Sequence, residues 1–386
     1  MKKRRKPGPI GLDIGTTGVR LLQLIDAGHA PAIIAAEHCE WPDGAIEAGD
    51  RAAAAEPLIA ESLRRHPFIG RRVVTALGAD EFQIKNIRLP CMPEKDLAQA
   101  VEFEARDRFE FPDGTAQFRS LAAGEVRHGN EMKTEVIVFG TQQDVIRQRL
   151  RMLDALKVQP LAIDLSPCAV ARCFIRFLRR AEDADAMNVF LNVGWRGTML
   201  VITRGSELAF VKFIEVGGRH FTSRVADVLG VSKEEAAHVR IRIMRQSGGR
   251  RATDTASVAD DLRDTVSDAI RPAVERLARE IHLCLRYFAV TFRGQRPECL
   301  TFVGGDAHEP QLMKVLEAGI DIPCTIGNPL RGVGGIERIG GPDRRTLQPA
   351  WSVVAGLALR GSRWVEPAAG RAGGGPMVTP MSAAVG

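Results

Sequence analysis

The sequence predicts an α/β protein built from two similar halves, each opening with a glycine-containing hairpin. A short apolar strand, a tight Gly/Thr turn and a second strand occupy residues 9–20, and the pattern returns at 188–201. A further glycine turn, at 304–307, follows another apolar strand. Glycine lets a backbone approach a ligand closely, and the N–H groups of such turns bind anions. Two matched hairpins therefore predict a phosphate-binding cleft between duplicated domains.

The length and composition fit a protein of two or more domains. The 386 residues are 45% hydrophobic, which is enough to bury separate cores. The net charge is +6, and five cations fall within the first six residues. Such an arm is typical of a solvated tail or of a contact with anionic lipid. With one tyrosine and few aromatic residues beside basic ones, nucleic-acid stacking platforms are not indicated, and we expect no nucleic-acid partner.

The cysteines and the apolar segments together predict a cytoplasmic location. The seven cysteines are scattered and form no C-x-x-C pair, which favours reduced thiols in the cytoplasm and argues against a zinc site. Asp13 and Arg20 interrupt the apolar segment near the N-terminus, so no signal peptide is predicted. No run of about twenty apolar residues occurs, so no membrane span is predicted.

The first half of the chain is predicted to form one domain into which a second, smaller domain is inserted. A hairpin is predicted over 9–25, strands over 30–36, 72–77, 117–125, 135–139 and 159–165, and helices over 52–65, 94–109, 144–156 and 167 to about 180. Proline residues at 90 and 93 mark the boundary at which the pattern of predicted elements changes. We therefore predict a basic arm over 1–8, a first core from 9–80 and 155–185, and a small inserted α+β domain over 80–155.

The second half repeats the opening and then becomes helical. Strands are predicted over 188–201 and 208–216, helices over 221–229 and 233–244, a strand–turn–helix over 299–318 and a helix over 351–359. Apolar residues from Leu262 to Phe288 recur at steps of three and four, with Pro272 either kinking this helix or starting a second one. The second core is predicted over 186–361, with a helical subdomain at about 221–290. The Gly/Pro/Ala-rich residues 362–386 predict a disordered tail.

The order of these motifs along residues 9–361 resembles the actin-like ATPase superfamily, whose duplicated domains are ribonuclease H-like. Within it, the chain is similar to the PilM family of type IV pilus assembly proteins and to its FtsA-like relatives. The segments that carry the resemblance are 11–20, 102–105, 111–112, 158–164, 192–198, 215–218, 304–307, 328–332 and 350–359. Each is a common pattern by itself, and their order makes the resemblance specific.

The resemblance implies a site for ATP or ADP with Mg²⁺. The implied nucleotide-binding residues are Asp13, Gly15, Thr16, Thr17, Arg20, Asn192, Gly194, Arg196, Gly197, Thr198, Gly217, Gly218, Arg240, Gly304, Gly305, Asp306 and Ala307. Asp13 is also the implied Mg²⁺ contact. Asp13 and Asp164 are the candidate catalytic residues.

Several positions depart from what hydrolysis requires. Asn192 stands where hydrolysing relatives carry the acid of the second hairpin, and an amide cannot act as a base. Ser166 replaces the acid before the proline of the connecting strand, and Ala237 replaces a ribose-contacting Glu. Trp195 and Arg196 replace small residues at the hairpin tip. We therefore expect weak or absent ATP hydrolysis.

The resemblance also implies a docking function at the inner membrane. The expected role is a cytoplasmic scaffold of a type IV pilus or related secretion complex, peripheral to the membrane through a protein partner. The implied partner is the cytoplasmic N-terminal tail of a PilN-like bitopic membrane protein, with other pilus components and self-association also open. The tail is expected in a groove between the inserted domain and the first core, where Glu102, Glu104 and Glu110 complement its basic residues.

A sugar or small-carbohydrate kinase on the same fold is the alternative. Residues 13–17 fit that class as well. A kinase needs a carboxylate base beside the substrate hydroxyl, and Asp164 at a strand end is the candidate. The chain is short for the large carbohydrate kinases, and the Cys-rich metal motif of the smaller group is absent from the sequence.

Overall fold

The computed structural model describes residues 6–41, 48–112, 114–180, 182–248, 256–292, 296–340 and 348–365. The first half contains β1 (Pro7–Ile14), β2 (Gly18–Asp26), β3 (Pro31–Glu40), α1 (Ala48–Arg65), β4 (Arg72–Leu77), β5 (Gln83–Pro90), α2 (Glu94–Arg108), β6 (Ala116–His128), β7 (Glu131–Gln142), α3 (Gln143–Ala155), β8 (Gln159–Leu165) and α4 (Ser166–Ile175). The second half contains β9 (Met187–Val193), β10 (Thr198–Arg204), β11 (Glu207–Ile214), α5 (Gly218–Leu229), α6 (Lys233–Gly248), α7 (Ala256–Thr291), β12 (Cys299–Val303), α8 (Pro310–Gly319), β13 (Cys324–Ile326) and α9 (Ser352–Ala358).

Two five-stranded sheets of the same topology form the two cores. Their strand orders are β3-β2-β1-β4-β8 and β11-β10-β9-β12-β13. In each sheet the three strands of the opening meander pair antiparallel, and the last two strands add in parallel. The repeated order confirms the predicted α/β fold of duplicated domains.

The long apolar stripe of the second core forms one helix. Val266, Ile270, Val274, Leu277 and Ile281 are buried at helical spacing along α7 and pack against the second sheet and its neighbouring helices. Pro272 lies inside this helix and is exposed to solvent. The alternative that Pro272 starts a second helix is therefore wrong, since the buried stripe continues across it.

The inserted domain is a three-stranded sheet of order β5-β7-β6 with α2 on one face. Ile87, Val136 and Val138 pack with α2 on that face, whereas Ile137 and Phe139 on the opposite face join the core that both halves share. The alternation of apolar residues along β7 lets one strand serve both layers. Strand β5 was not among the predicted strands, and α3, which lies within the predicted bounds 80–155 of the insertion, packs on the first sheet as well as against β7.

A polar cluster fastens the inserted domain to the second core. The buried carboxylate of Glu135 accepts hydrogen bonds from Arg88 Nε (2.7 Å) and from the hydroxyl of Tyr287 (2.8 Å). Arg88 also donates to Tyr287 and to Thr291 Oγ1 (2.9 Å), both on α7. Asn86 Nδ2 donates to the carbonyl of Val211 on β11 (3.3 Å). The inserted domain is thus continuous in the chain with the first core and hydrogen-bonded to the second core.

Helices α4 and α9 pack against each other between the two sheets. A Cβ at Gly356 of α9 would overlap the carbonyl oxygen of Ala169 on α4. A Cβ at Gly11 of β1 would lie 2.6 Å from the carbonyl oxygen of Val354 and 2.8 Å from the backbone nitrogen of Ala358. Glycine at these two positions lets backbone pack directly on backbone.

The packed chain extends past the predicted start of the tail at residue 362. Val365 is buried with Leu22, Leu24 and Ile33 of the first sheet. The rest of the predicted tail, residues 366–386, and residues 1–5 of the basic arm lie outside the described residues.

Candidate functional site

The two glycine hairpins have the same backbone geometry. The amide of Gly15 donates to the carbonyl of Gly18 at 2.9 Å, and the amide of Gly194 donates to that of Gly197 at 3.0 Å. A Cβ added to Gly15 or to Gly194 would lie 3.4 Å from that same carbonyl oxygen. The hairpins between β1 and β2 and between β9 and β10 are therefore equivalent structures in the two cores.

The first hairpin is held from the side by Trp41, at the end of β3. The indole Nε1 donates to the carbonyl of Gly15 (3.1 Å), and the backbone N–H of Trp41 donates to the carbonyl of Thr17 (3.3 Å). Gly18 packs so closely on Cys39 that a Cβ would overlap the carbonyl oxygen of Cys39. These contacts fix the hairpin before any ligand binds, leaving Thr17 at its exposed tip.

Asp13 lies in a cluster of arginines. Burial raises the pKa of its carboxyl, and the positive charges of Arg20, Arg149 and Arg51 oppose that shift. Arg20 faces Asp13 across the β1–β2 ladder and faces His38 across β2–β3. Burial, with Arg20 as a second cause, lowers the pKa of His38 to about 3, so this imidazole is neutral at physiological pH. Arg51 and Arg149 are themselves paired with Asp80 and Glu81, so the charges around Asp13 are balanced, with Arg20 as the cation on the neighbouring strand.

An acidic turn after β4 links the cluster to the second hairpin. Glu81 accepts hydrogen bonds from Arg149 (2.8 Å) and from the amide of Gly78 (2.6 Å), and Asp80 pairs with Arg51. Arg196, at the tip of the second hairpin, approaches Asp80 at 3.4 Å. Because Asp80 belongs to the first core and Arg196 to the second, this ion pair spans the cleft.

The second hairpin is fixed by the start of α5. The amide of Gly218 donates to the carbonyl of Gly194 (2.9 Å), and the amide of Arg219 donates to that of Trp195 (2.8 Å). A Cβ at Gly217 would overlap the carbonyl of Gly194, and one at Gly218 would overlap the carboxylate of Asp306. Both glycines are therefore needed for close packing at the hairpin. His220 accepts a hydrogen bond from the amide of Gly217 through Nδ1 (3.2 Å).

Arg240 is the centre of a buried ion cluster beside the third glycine turn. Its guanidinium donates to Asp306 Oδ1 (2.8 Å), Glu309 Oε2 (3.0 Å), the carbonyl of Gly218 (3.0 Å) and Thr222 Oγ1 (2.8 Å). Arg240 connects α5, α6 and the turn after β12. Both terminal nitrogens of Arg240 are engaged by protein groups, which gives this side chain a positioning role, and a direct contact with a ligand stays a prediction.

The third turn packs directly on Asn192. Gly304 has a φ of +94°, and a Cβ there would lie 2.5 Å from Asn192 Oδ1. The amide of Asp306 donates to the carbonyl of Val193 (3.1 Å), which joins the turn to β9. Gly305 faces open space, because a Cβ there would meet nothing within 4 Å. This turn, with Ala307 buried behind it, borders the second hairpin as the sequence predicts.

The side chains of two predicted site residues make hydrogen bonds or ion pairs to other protein groups. The hydroxyl of Thr198 is fully buried and donates to the carbonyl of Val216 at 2.8 Å, so it does not face the cleft. The carboxylate of Asp164 is paired with Arg172 (2.7 Å) and Arg360 (2.5 Å) and accepts from the amide of Leu165 (2.8 Å). A carboxylate with three donors is a poor general base, which argues against the role of Asp164 that the kinase alternative requires.

The acidic residues of α2 do not meet the first core. Glu102 pairs with Arg106 and Glu104 pairs with Arg108, each at 2.8 Å along the same exposed helix. Because α2 covers the face of the inserted sheet opposite to the cores, these carboxylates project away from the predicted groove. Glu110 follows the helix and is also exposed.

Sequence reasoning missed the side chains that hold the cleft together. Arg51 and Arg149 lie within helices and resemble solvated surface charges in the sequence, although both are buried. The adjacent acids Asp80 and Glu81, directly after a predicted strand, were a sequence signal from which this part of the cleft could have been predicted. Ser166, at the start of α4, has a buried hydroxyl that makes no hydrogen bond within the described part of the chain.

The described residues offer little to a metal ion by themselves. No group of three or more His, Cys, Asp or Glu side chains in the described ranges is arranged to hold one. Asp13 can contribute one carboxylate, and Asn192 contributes an amide oxygen in place of a second. Mg²⁺ commonly takes phosphate oxygens and water with one or two carboxylates, so the residues fit an ion that enters with the nucleotide.

Two duplicated cores, with matched glycine hairpins facing one cleft, define an actin-like protein. The sequence profile of the family described as type IV pilus assembly protein PilM matches residues 11–362. The chain therefore belongs to the PilM family of type IV pilus assembly proteins.

Solved structures agree with this assignment. A PilM–PilN type IV pilus biogenesis complex matches with 25% identity and a TM-score of 0.74, over 93% of this chain and 99% of that chain. The ethanolamine utilization protein EutJ from Carboxydothermus hydrogenoformans matches with 12% identity and a TM-score of 0.52, over 92% and 89% of the two chains. The second likeness concerns the fold alone. Among the helices of the described residues, none has the length and apolarity to cross a membrane.

Replacing Arg240 by methionine is expected to destabilise the protein in a pH-dependent way. Arg240→Met leaves Asp306 and Glu309 without their cation, which costs about 3–5 kcal/mol for a buried pair at neutral pH. Burial already raises the pKa of Glu309, and losing Arg240 raises it further. A carboxyl with a raised folded-state pKa destabilises as pH rises through that pKa, so the loss of stability is larger near pH 8 than near pH 5.

Urea unfolding at both pH values measures this difference. Arg271→Met is the matched control, because Arg271 forms an exposed pair with Asp268 and should cost less than about 1 kcal/mol. Equal destabilisation of Arg240→Met at the two pH values would contradict the buried-charge explanation.

Proposed function

We propose that this protein is a cytoplasmic, actin-like scaffold of a type IV pilus assembly complex at the inner membrane. In this role it binds a nucleotide between its two cores and docks the cytoplasmic tail of a PilN-like membrane protein. The observation that carries the proposal is the pair of equivalent hairpins in a chain of the PilM family. The likeness to the PilM–PilN complex supports the choice of partner.

The nucleotide, ATP or ADP, would lie with its phosphates between the hairpins and its adenosine against the third turn. The N–H groups of Gly15 and Gly194 close the hairpins, so the backbone N–H groups of Thr16 and Gly197 and the hydroxyl of Thr17 supply the phosphate contacts in this proposal. Arg20 and Arg196 add positive charge, although Arg196 must exchange Asp80 for phosphate. Mg²⁺ would enter with the phosphates and contact Asp13 through water.

The substitution Gly15→Val is expected to abolish nucleotide binding without unfolding the protein. A Cβ at Gly15 makes an ordinary contact of 3.4 Å, so the fold tolerates it, while the branched side chain fills the space in front of the hairpin. Losing charge-assisted hydrogen bonds to phosphate weakens binding by more than about tenfold. Isothermal titration with Mg-ATP measures this change.

Gly49→Val is the matched control for Gly15→Val. Gly49 lies in α1, a Cβ there meets nothing within 4 Å, and affinity should be unchanged. No heat of binding with the wild-type protein would show that the cleft does not take ATP.

Hydrolysis is proposed to be weak because the side chains at the second hairpin lack acid groups. Asn192 supplies an amide, Ser166 a hydroxyl, and Asp164 is held by two arginines. Binding needs only the backbone donors and nearby cations, which are intact. Water activation needs a carboxylate or a comparable base near the phosphate.

Phosphate release by the wild-type protein should be close to the rate in buffer, and Asn192→Asp should raise it. The substitution is nearly isosteric and places a carboxylate at the end of β9, next to the second hairpin. Asn188→Asp, the same change at the other end of β9, is the control and should leave the rate unchanged. A robust wild-type rate that disappears in Asp13→Ala would overturn the scaffold proposal.

The partner tail is proposed to dock as an extended peptide beside the inserted domain. Strand β6, 13 residues long, is an edge of the inserted sheet, and its outer backbone groups can pair with an added strand. Apolar residues of the tail would supply affinity there. The exposed acids Glu102, Glu104 and Glu110 remain a proposed attraction for basic tail residues, weakened by the neighbouring Arg106 and Arg108.

Removing the inserted domain should abolish partner binding and leave nucleotide binding near normal. Gln83 pairs with Gly140 across β5 and β7, so a short Gly-Ser bridge between these positions can replace the domain. Fluorescence anisotropy with a labelled PilN-like tail peptide measures docking, and circular dichroism checks folding. A folded excision variant that binds the peptide at wild-type affinity would contradict the proposal.

The double substitution Glu102→Gln/Glu104→Gln is the companion variant for the excision. It should change the affinity by less than about threefold, because exposed pairs along one helix contribute little.

A further inference from the structure

The second half of α7 presents apolar and basic side chains to solvent along one line, which we call the α7 ridge. Leu283, Tyr287 and Val290 follow one another at steps of four and three, and they are 56%, 40% and 84% exposed. This spacing places them on one face of the helix. Exposed arginines lie on the same side of the helix, at positions Arg276, Arg279 and Arg286.

The positive charge of the α7 ridge is not neutralised within the molecule. Arg271, earlier in the helix, pairs with Asp268 at 2.9 Å. The three arginines of the ridge, by contrast, form no ion pair with any carboxylate of the described residues. Residues 276–290 contain these three arginines and one acid, Glu280, so their net charge is +2 with histidine neutral.

The exposed face of α2 has the complementary character, and we call it the α2 ridge. Phe103 is 69% exposed at its centre. Helical spacing places three exposed polar residues on the same face, namely Asp96, Gln99 and Asp107. Asp96 and Asp107 form no ion pair among the described residues. Residues 94–110 contain six acids and three cations, so their net charge is −3.

The two ridges cannot meet within one copy of the protein. On one face of the inserted sheet, Val101 and Ala105 of α2 pack against β5 and β7. On the opposite face, Tyr287 of α7 donates its hydroxyl hydrogen to Glu135 of β7 at 2.8 Å. Because the inserted sheet stands between the two helices, the α2 ridge can meet only the α7 ridge of another copy.

We propose that the α7 ridge is the docking surface for α2 of a second copy of this chain. In this contact Phe103 packs on the apolar residues of the α7 ridge, and the two acids of the α2 ridge pair with its arginines. Aromatic burial supplies affinity, and the charge pairs select the partner face.

The spacing of the side chains supports a parallel arrangement of the two helices. Phe103 comes seven residues after one acid of its ridge and four before the other. Leu283 comes seven residues after Arg276 and three before Arg286. The acids are therefore about 16 Å apart along α2 and these arginines about 15 Å apart along α7, so both charge pairs can form when Phe103 lies against Leu283.

The contact is head-to-tail, because each copy offers one ridge and receives the other. Repeating such a contact assembles copies into chains or rings. Two single helices bury less surface than the roughly 1,200 Å² of a stable interface, so weak, concentration-dependent association is expected. The contact involves neither the hairpins nor strand β6, so it does not depend on nucleotide binding or on docking of the partner tail.

Sedimentation velocity of the full chain, from low to high micromolar concentration and without nucleotide or partner peptide, tests the proposal. The wild type should associate increasingly with concentration, and added salt should weaken the association. Arg276→Glu/Arg286→Glu should remain monomeric, because both ridges are then acidic. Asp96→Lys/Asp107→Lys should also remain monomeric, because both ridges are then basic. Circular dichroism checks that these surface variants are folded.

Mixing the two charge-reversed variants gives the decisive measurement. An equimolar mixture should associate again, because each ridge of one variant is opposite in charge to the facing ridge of the other. Arg64→Glu/Arg65→Glu is the charge-matched control on α1 and should associate like wild type.

The aromatic contact is tested separately. Phe103→Gln should weaken association by about tenfold or more, since a central buried aromatic residue commonly dominates an interface. Ile69→Gln is the matched control, because Ile69 is 53% exposed and lies on neither helix.

Five results would overturn the proposal: a wild type that is monomeric at every concentration, undiminished association of either charge-reversed variant, a mixture that stays monomeric, an equal loss in the α1 control, or undiminished association of Phe103→Gln.

Discussion

The direct backbone packing of α4 on α9 is the constraint on which the arrangement of the two cores depends. Gly356 lies against Ala169, and Gly11 of β1 lies against α9 from the other side. A side chain at either glycine would push these helices away from the first sheet or from each other. Because α4 also packs on strands of the second sheet, this spacing sets how closely the two sheets approach each other.

Arginine–carboxylate pairs then fix the walls of the cleft. Arg149 and Arg51 hold the Asp80–Glu81 turn, and Arg240 holds the turn that begins at Gly304. Each of these pairs lies within one core. The contact of Arg196 with Asp80 crosses the cleft, and a bound phosphate would compete for the same guanidinium. Ligand binding would therefore exchange one contact between the cores for another, while the walls keep their shape.

The sequence was sufficient to predict those features of the fold whose signal lies in a short contiguous segment. The hairpins could be predicted because the Gly/Thr turn and its flanking strands are contiguous, and the duplicated fold followed from their repetition. The role of Thr198 could not, because a hydroxyl at a hairpin faces either the ligand or the protein and only the packing of β10 against Val216 decides. The burial of Arg51, Arg149 and Arg240 could not be predicted for a similar reason, because a helical arginine is recognised as buried only when its distant carboxylates are known. Strand β5 was missed since its apolar alternation is short and ends at Pro90.

Binding and hydrolysis place different demands on this cleft, and the described residues provide more of what the first requires. Phosphate binding depends on backbone geometry, which Trp41, Gly217 and Gly218 maintain from outside the hairpins. Hydrolysis depends on acidic side chains, which the second hairpin and the start of α4 lack. A ligand that is bound and not consumed would stabilise the arrangement of the cores to which it binds, by RT ln(1 + [L]/Kd). The inserted domain is covalently joined to the first core and bonded to the second through Glu135 and Tyr287. A change in the angle between the cores must therefore shear that contact or carry the insertion with it, which would give a bound nucleotide a physical means of altering the proposed docking surface.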